Sequence, residues 1–140
     1  MYASCAPKDD AWFTELDECY VSTKKSPTSD PLVWHDWSPK SSQDPGGCGN
    51  LSLSVAAGPV TATMNLATCE ELIPTKGEEP ADFRVNWVGD AYWDGDVRET
   101  GLLHAVGFAN PGSNIMVLAF DYGYIYSSCN PPPDLIDQCG

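Results

Sequence analysis

The stretch from Cys48 to Cys69, CGNLSLSVAAGPVTATMNLATC, is patterned as a mirror about Gly58-Pro59. Folded there, Leu51 faces Leu66, Leu53 faces Met64 and Val55 faces Ala62, all apolar pairs. On the opposite face Ser52 meets Asn65 and Ser54 meets Thr63. A single register sorts both strands at once, which is what a half-buried antiparallel hairpin requires. The same register sets Cys48 across from Cys69 on the Ser/Thr face, within disulfide reach. That unit commits the chain to antiparallel sheet and, through its sulfurs, to oxidising surroundings.

The other cysteines are Cys5, Cys19, Cys129 and Cys139. Six is even, and no C-x-x-C pair is present, so zinc-ribbon and thioredoxin-like readings fail on spacing. Three disulfides are expected: Cys48 with Cys69, and the local pairs Cys5 with Cys19 and Cys129 with Cys139. They imply a secreted, extracellular protein whose leader has been removed, with Met1 added in its place. The start MYASC also looks like the end of a bacterial lipoprotein signal. A lipidated Cys5 would leave an odd number of cysteines, which disfavours that reading. Asn50-Leu51-Ser52 is a glycosylation triplet of a kind that also arises by chance.

A second reversal is expected at Asp94-Gly95, a type I′ turn signal. It would set Phe83 against Val106, Val85 against His104 and Trp87 against Leu102. It also sets Asp90 opposite Glu99, an unfavourable like-charge pair unless a bulge or a cation separates them. Residues 114–129 alternate with period two and read as a further, central strand. Residues 10–21 carry Trp12, Phe13 and Leu16 at helical spacing behind Asp9-Asp10, which predicts a short N-terminal helix. Residues 22–50 read mostly as loop, with a short strand over 32–37, and residues 70–82 read as loop. Three prolines after Asn130 end any sheet there. The expectation is one all-β domain over residues 1–140: an antiparallel β-sandwich or barrel of five to seven strands, stapled by disulfides.

Composition narrows the partners. Acidic residues outnumber basic ones 20 to 7, giving a net charge of −13, which repels nucleic-acid backbones and anionic membrane surfaces. No apolar run approaches the roughly 18 residues of a membrane span. The 42% hydrophobic content is that of a globular fold rather than a disordered chain.

Three groups of residues carry candidate chemistry. Asp90, Asp94, Asp96 and Glu99 crowd one segment and make Ca²⁺ a possible cofactor, although no EF-hand spacing is present. The plain alternative is a solvated acidic turn. Trp34 and Trp37 flank His35-Asp36 and offer a flat surface for sugar or protein, or else cover an end of the core. Tyr122, Tyr124 and Tyr126 continue the stripe Met116, Leu118, Phe120 and form either an aromatic ligand platform or the tapering rim of a core. His104, on the Phe83 face, reads as a core histidine. Nucleophile-elbow, zinc-protease, phosphate-loop and deaminase motifs are all missing. The leading reading is a non-catalytic extracellular domain that binds a protein or a glycan. The alternatives are a subunit that assembles through strand edges and a small secreted hydrolase using carboxylates.

Overall fold

The computed structural model describes residues 1–6, 14–69, 71–91 and 98–128. Among these, every regular element is a strand and every pairing is antiparallel. There are ten strands rather than five to seven: β1 (Tyr2–Cys5), β2 (Thr14–Lys25), β3 (Leu32–Ser38), β4 (Gly49–Ala57), β5 (Val60–Thr68), β6 (Glu71–Lys76), β7 (Phe83–Ala91), β8 (Arg98–Gly101), β9 (Leu103–Phe108) and β10 (Leu118–Ser128). They form one four-stranded sheet in the order β10-β2-β7-β6 and three two-stranded ribbons, β1-β8, β3-β9 and β4-β5. One core joins them: Leu16, Cys19, Val21, Leu72, Phe83, Val85 and Trp87 from the sheet meet Leu53 and Leu66 of the β4-β5 ribbon and Leu102.

The first hairpin forms in the register set by its alternation. Leu51 pairs with Leu66, Leu53 with Met64 and Val55 with Ala62, and Gly58 adopts φ +60° at the turn. Leu53, Val55 and Leu66 are buried, whereas Ser52, Ser54, Thr63 and Asn65 are exposed. Cys48 is bonded to Cys69, and Cys5 to Cys19. Cys129 and Cys139 lie outside the described residues.

The second hairpin does not form as expected. Phe83, Val85 and Trp87 do share a buried face. Their neighbours are β2 and β6, not residues 101–106: Trp87 stands between Cys19 and Leu72, and Val85 between Val21 and Pro74. Residues 98–101 pair with β1 and residues 103–108 with β3. The tip at Asp94-Gly95 lies outside the described residues. Alternation tells which face a residue occupies; it does not choose the strand alongside, and several strands here offer the same pattern.

No helix occurs over residues 14–21, which belong to β2. The helical spacing rests on Trp12, Phe13 and Leu16, and residues 10–13 lie outside the described residues; within β2 itself a bulge leaves a step of three. The β2–β7 register shifts between Leu16 and Glu18, so Leu16 and Cys19, three apart, both face the core. A bulge inserts one residue and turns a period of two into a local step of three. Within 70–82, Glu71–Lys76 is a strand rather than a loop, and its Pro74 is tolerated because β6 is an edge. The expected strand over 32–37 is present as β3, and Ser22–Lys25 complete β2. Finally, β10 is an edge strand among the described residues, not a central one.

The approach to β10 is pinned by one carboxylate. Asp30 accepts the N–H groups of Asn114 and Ile115 at 2.9 Å each, and the Ser26 N–H donates to the Val117 carbonyl at 2.9 Å. The two backbone bonds hold Asp30 below the usual carboxylate value of 3.8. Asp36 is lowered likewise, first by its bond from Lys40 and then by the Ala56 N–H. Burial, then the positive N-terminus, holds His104 below the ordinary imidazole value of 6.5. For the histidine, the unfolded chain takes up the proton first, so stability falls as pH drops below 6.5. For the two aspartates, stability is present above 3.8 and is lost as pH falls through their lowered values. The urea midpoint is therefore expected to decline in two stages on acidification, with the upper stage absent in His104→Phe. A midpoint independent of pH between neutrality and pH 3 would contradict this.

Candidate binding groove

The β10–β2 register decides where the tyrosines point. Phe120 pairs with Thr23, Tyr122 with Val21 and Tyr124 with Cys19, so the stripe lies on the core side of the sheet. Thr23, Val21 and Cys19 are covered. At the edge strand that cover runs out: Phe120 is 62%, Tyr122 70% and Tyr124 59% exposed. Only Tyr126, beyond a register shift at Ile125/Tyr126, packs back on the core.

Residues 2–6 and Tyr122, Tyr124 and Tyr126 face one another across a groove of about 410 Å³. Three contacts set its shape. The Cys5–Cys19 disulfide ties β1 to β2 directly beside Tyr124. The Tyr126 hydroxyl donates to the Ala6 carbonyl at 2.6 Å, and the Tyr124 and Tyr126 rings meet edge to face at 5.1 Å. At the other end the Tyr2 hydroxyl donates to Glu99 Oε1 at 2.7 Å, and this bond raises the phenol above its usual value of 10. Glu99 Oε2 accepts the Ala67 N–H, so one carboxylate holds β8, β1 and β5 together. The sequence offered one signal for this wall, the local pairing of Cys5 with Cys19. Tyr2 as a lining residue and Glu99 as its anchor were missed, since nothing local links them.

The groove presents ring faces, phenolic hydroxyls and backbone. Tyrosine supplies a large apolar face and a polar tip at small entropic cost, which suits stacking on a ligand. Nothing in its described lining is a thiol, an imidazole or a carboxylate in position to transfer a proton, and both oxygens of Glu99 are engaged.

The tryptophans occupy a different place. A register shift between Trp34 and Asp36 brings Trp34 and Trp37 to the same side, their rings 5.6 Å apart. Trp34 is half-buried, its ring edge-on to Phe83 and to His104. The Lys76 ammonium sits 5.1 Å from the Trp34 ring and 4.7 Å from that of Trp37. The pair thus stacks with this chain's own lysine. His35 and Asp36 do not pair: Asp36 accepts the Ala56 N–H at 2.8 Å and Lys40 at 2.8 Å, while His35 crosses the backbone of Gly107. Any side chain at Gly107 would meet the imidazole at 2.3 Å.

Of the acidic group, Asp94, Asp96 and the Asp90 side chain lie outside the described residues. Glu99 pairs across the ladder with Ser4, not with Asp90. Among the described residues no three His, Cys, Asp or Glu side chains gather as metal ligands. Comparison with protein families, with characterised proteins and with solved structures finds no match to this chain.

Proposed function

We propose that this chain is an extracellular binding domain that holds a protein or glycan ligand in the groove between β1 and the tyrosine stripe of β10. The observation that carries this reading is the bareness of Phe120, Tyr122 and Tyr124 on the core side of the sheet. Large aromatic side chains left open on a folded surface mark interaction sites. Two disulfides favour an oxidising compartment, and among the described residues no helix is long and apolar enough to cross a membrane. The net charge of −13 argues against nucleic acid as the ligand. We read residues 1–140 as one domain of sandwich type, with the four-stranded sheet as one layer and the ribbons as the other.

The test is a glycan array together with capture from extracellular extracts, comparing the parent with Tyr124→Ala. An exposed aromatic removed from a stacking contact costs about tenfold in affinity. Its removal leaves stability within about 0.5 kcal/mol, as for other surface substitutions. Equal binding by the two proteins would place the ligand elsewhere, and turnover of a substrate without retention would end the reading.

A further inference from the structure

We infer that the edge of β10, unpaired among the described residues, is an interface between two copies of this chain, joined antiparallel about a two-fold axis at Tyr122. This inference stands apart from the ligand reading, because it concerns the backbone edge rather than the groove.

Among the described residues β10 pairs with β2 alone, and it closes one end of the four-stranded sheet. Such an edge presents unpaired N–H and C=O groups that template another strand. The Tyr122 N–H donates to the carboxylate of its own neighbour, Asp121 Oδ1, at 2.9 Å. An amide aimed at β2 would be taken by a β2 carbonyl. Tyr122 therefore turns its backbone to the open side, and the alternation of an antiparallel ladder turns Phe120 and Tyr124 the same way.

The occupant is a second copy because this strand complements itself, best with Tyr122 on the axis. With Tyr122 facing Tyr122 of the other copy, Phe120 faces Tyr124 and Leu118 faces Tyr126. On the reverse side Ala119 faces Ile125, and Asp121 faces Gly123. Aromatic and aliphatic pairs of this kind are favourable across strands. Asp121 is the single charged residue from Leu118 to Ser128, and here it meets the one residue with no side chain. Sliding the copies so that Asp121 sits on the axis opposes two like charges. Sliding them the other way, with Gly123 on the axis, sets the carboxylate against Ile125. Both slides also put a backbone that faces β2 on the axis. Of the registers that keep an open-edge backbone there, the one centred on Tyr124 sets Phe120 against Ser128, and the one centred on Phe120 overlaps only residues 118–122 of the strand, so apolar pairing selects the Tyr122-centred register. Such an interface is isologous and closes on itself as a dimer. It would merge two four-stranded sheets into one of eight strands and run the two tyrosine stripes together.

Each copy carries −13, so the copies repel over a distance that salt shortens. Sedimentation equilibrium of the full chain from micromolar to millimolar concentration is expected to show a monomer–dimer equilibrium that strengthens with added sodium chloride. Tyr122→Lys puts two ammonium groups at the axis and is expected to leave a monomer with an unchanged circular dichroism spectrum. Tyr122→Cys is expected to form a disulfide between chains rapidly on mild oxidation, because facing hydrogen-bonded residues stand about 5.5 Å apart. Phe120→Cys, whose counterpart is Tyr124, is expected to cross-link far more slowly. A chain that stays monomeric at millimolar concentration in high salt overturns the inference. So does cross-linking at position 120 that matches or exceeds that at 122.

Discussion

Trp87→Ala is expected to lower the unfolding free energy by about 3–5 kcal/mol, a large part of the 5–15 kcal/mol that holds a domain together. Trp87 is wholly buried on β7, between Cys19 of β2 and Leu72 of β6, with the Arg98 guanidinium 5.6 Å from its ring. Removing it leaves a cavity where the sheet meets the ribbons, and also strips the ring from a buried cation. Trp87→Phe separates size from polarity. The indole Nε1 has no hydrogen-bond partner among the described residues. Phenylalanine keeps most of the volume and deletes that unsatisfied donor, so its cost is expected to be well below that of alanine. Urea titration of the three proteins reads this directly. If Phe and Ala cost the same, the ring's packing is not what Trp87 contributes.

The second large effect is the loss of either disulfide, and the two bonds should differ in kind. Cys48–Cys69 closes 21 residues and Cys5–Cys19 closes 14. By the chain-entropy relation each is worth about 3 kcal/mol. The Cys48/Cys69→Ala double variant removes a clasp at the foot of an already complementary hairpin. Stability should fall by about that amount while the groove is untouched. The Cys5/Cys19→Ala variant also vacates a fully buried position, Cys19, and frees β1 from the sheet beside Tyr124. It is expected to be the less stable of the two and to weaken binding in the groove as well. Parallel denaturation and binding measurements would show the difference. Equal loss of binding in both variants would mean that β1 is held by its other contacts, chiefly the Tyr2–Glu99 bond and the β1–β8 ladder.

Particular elements show what was legible in the residues alone. The β4-β5 hairpin, its register and its disulfide could be read because all the partners lie within one short mirror of sequence. The buried face of Phe83, Val85 and Trp87 could be read for the same reason: strand faces alternate locally. The helix expected over residues 10–21 is not seen from Thr14 onward, where the chain is β2; a bulge there sets Leu16 and Cys19, three apart, on one buried face. Trp34 and Trp37 share a side through a second such shift. The Tyr122–Tyr126 stripe was visible as a stripe, but its two readings, platform or rim of a core, were not separable by pattern.

Side-chain alternation and the mirror about Gly58-Pro59 are properties of neighbouring residues, and from them the sequence by itself determined antiparallel strands and the Cys48–Cys69 bond. Which strands lie side by side is settled by competition among many matching faces far apart in the chain. Only the tertiary structure decided that β7 is flanked by β2 and β6, that β10 ends the sheet among the described residues, and that Phe120, Tyr122 and Tyr124 are exposed. Phe120, Tyr122 and Tyr124 are exposed although their partners Thr23, Val21 and Cys19 are buried, and no local pattern records where the cover of a sheet face ends.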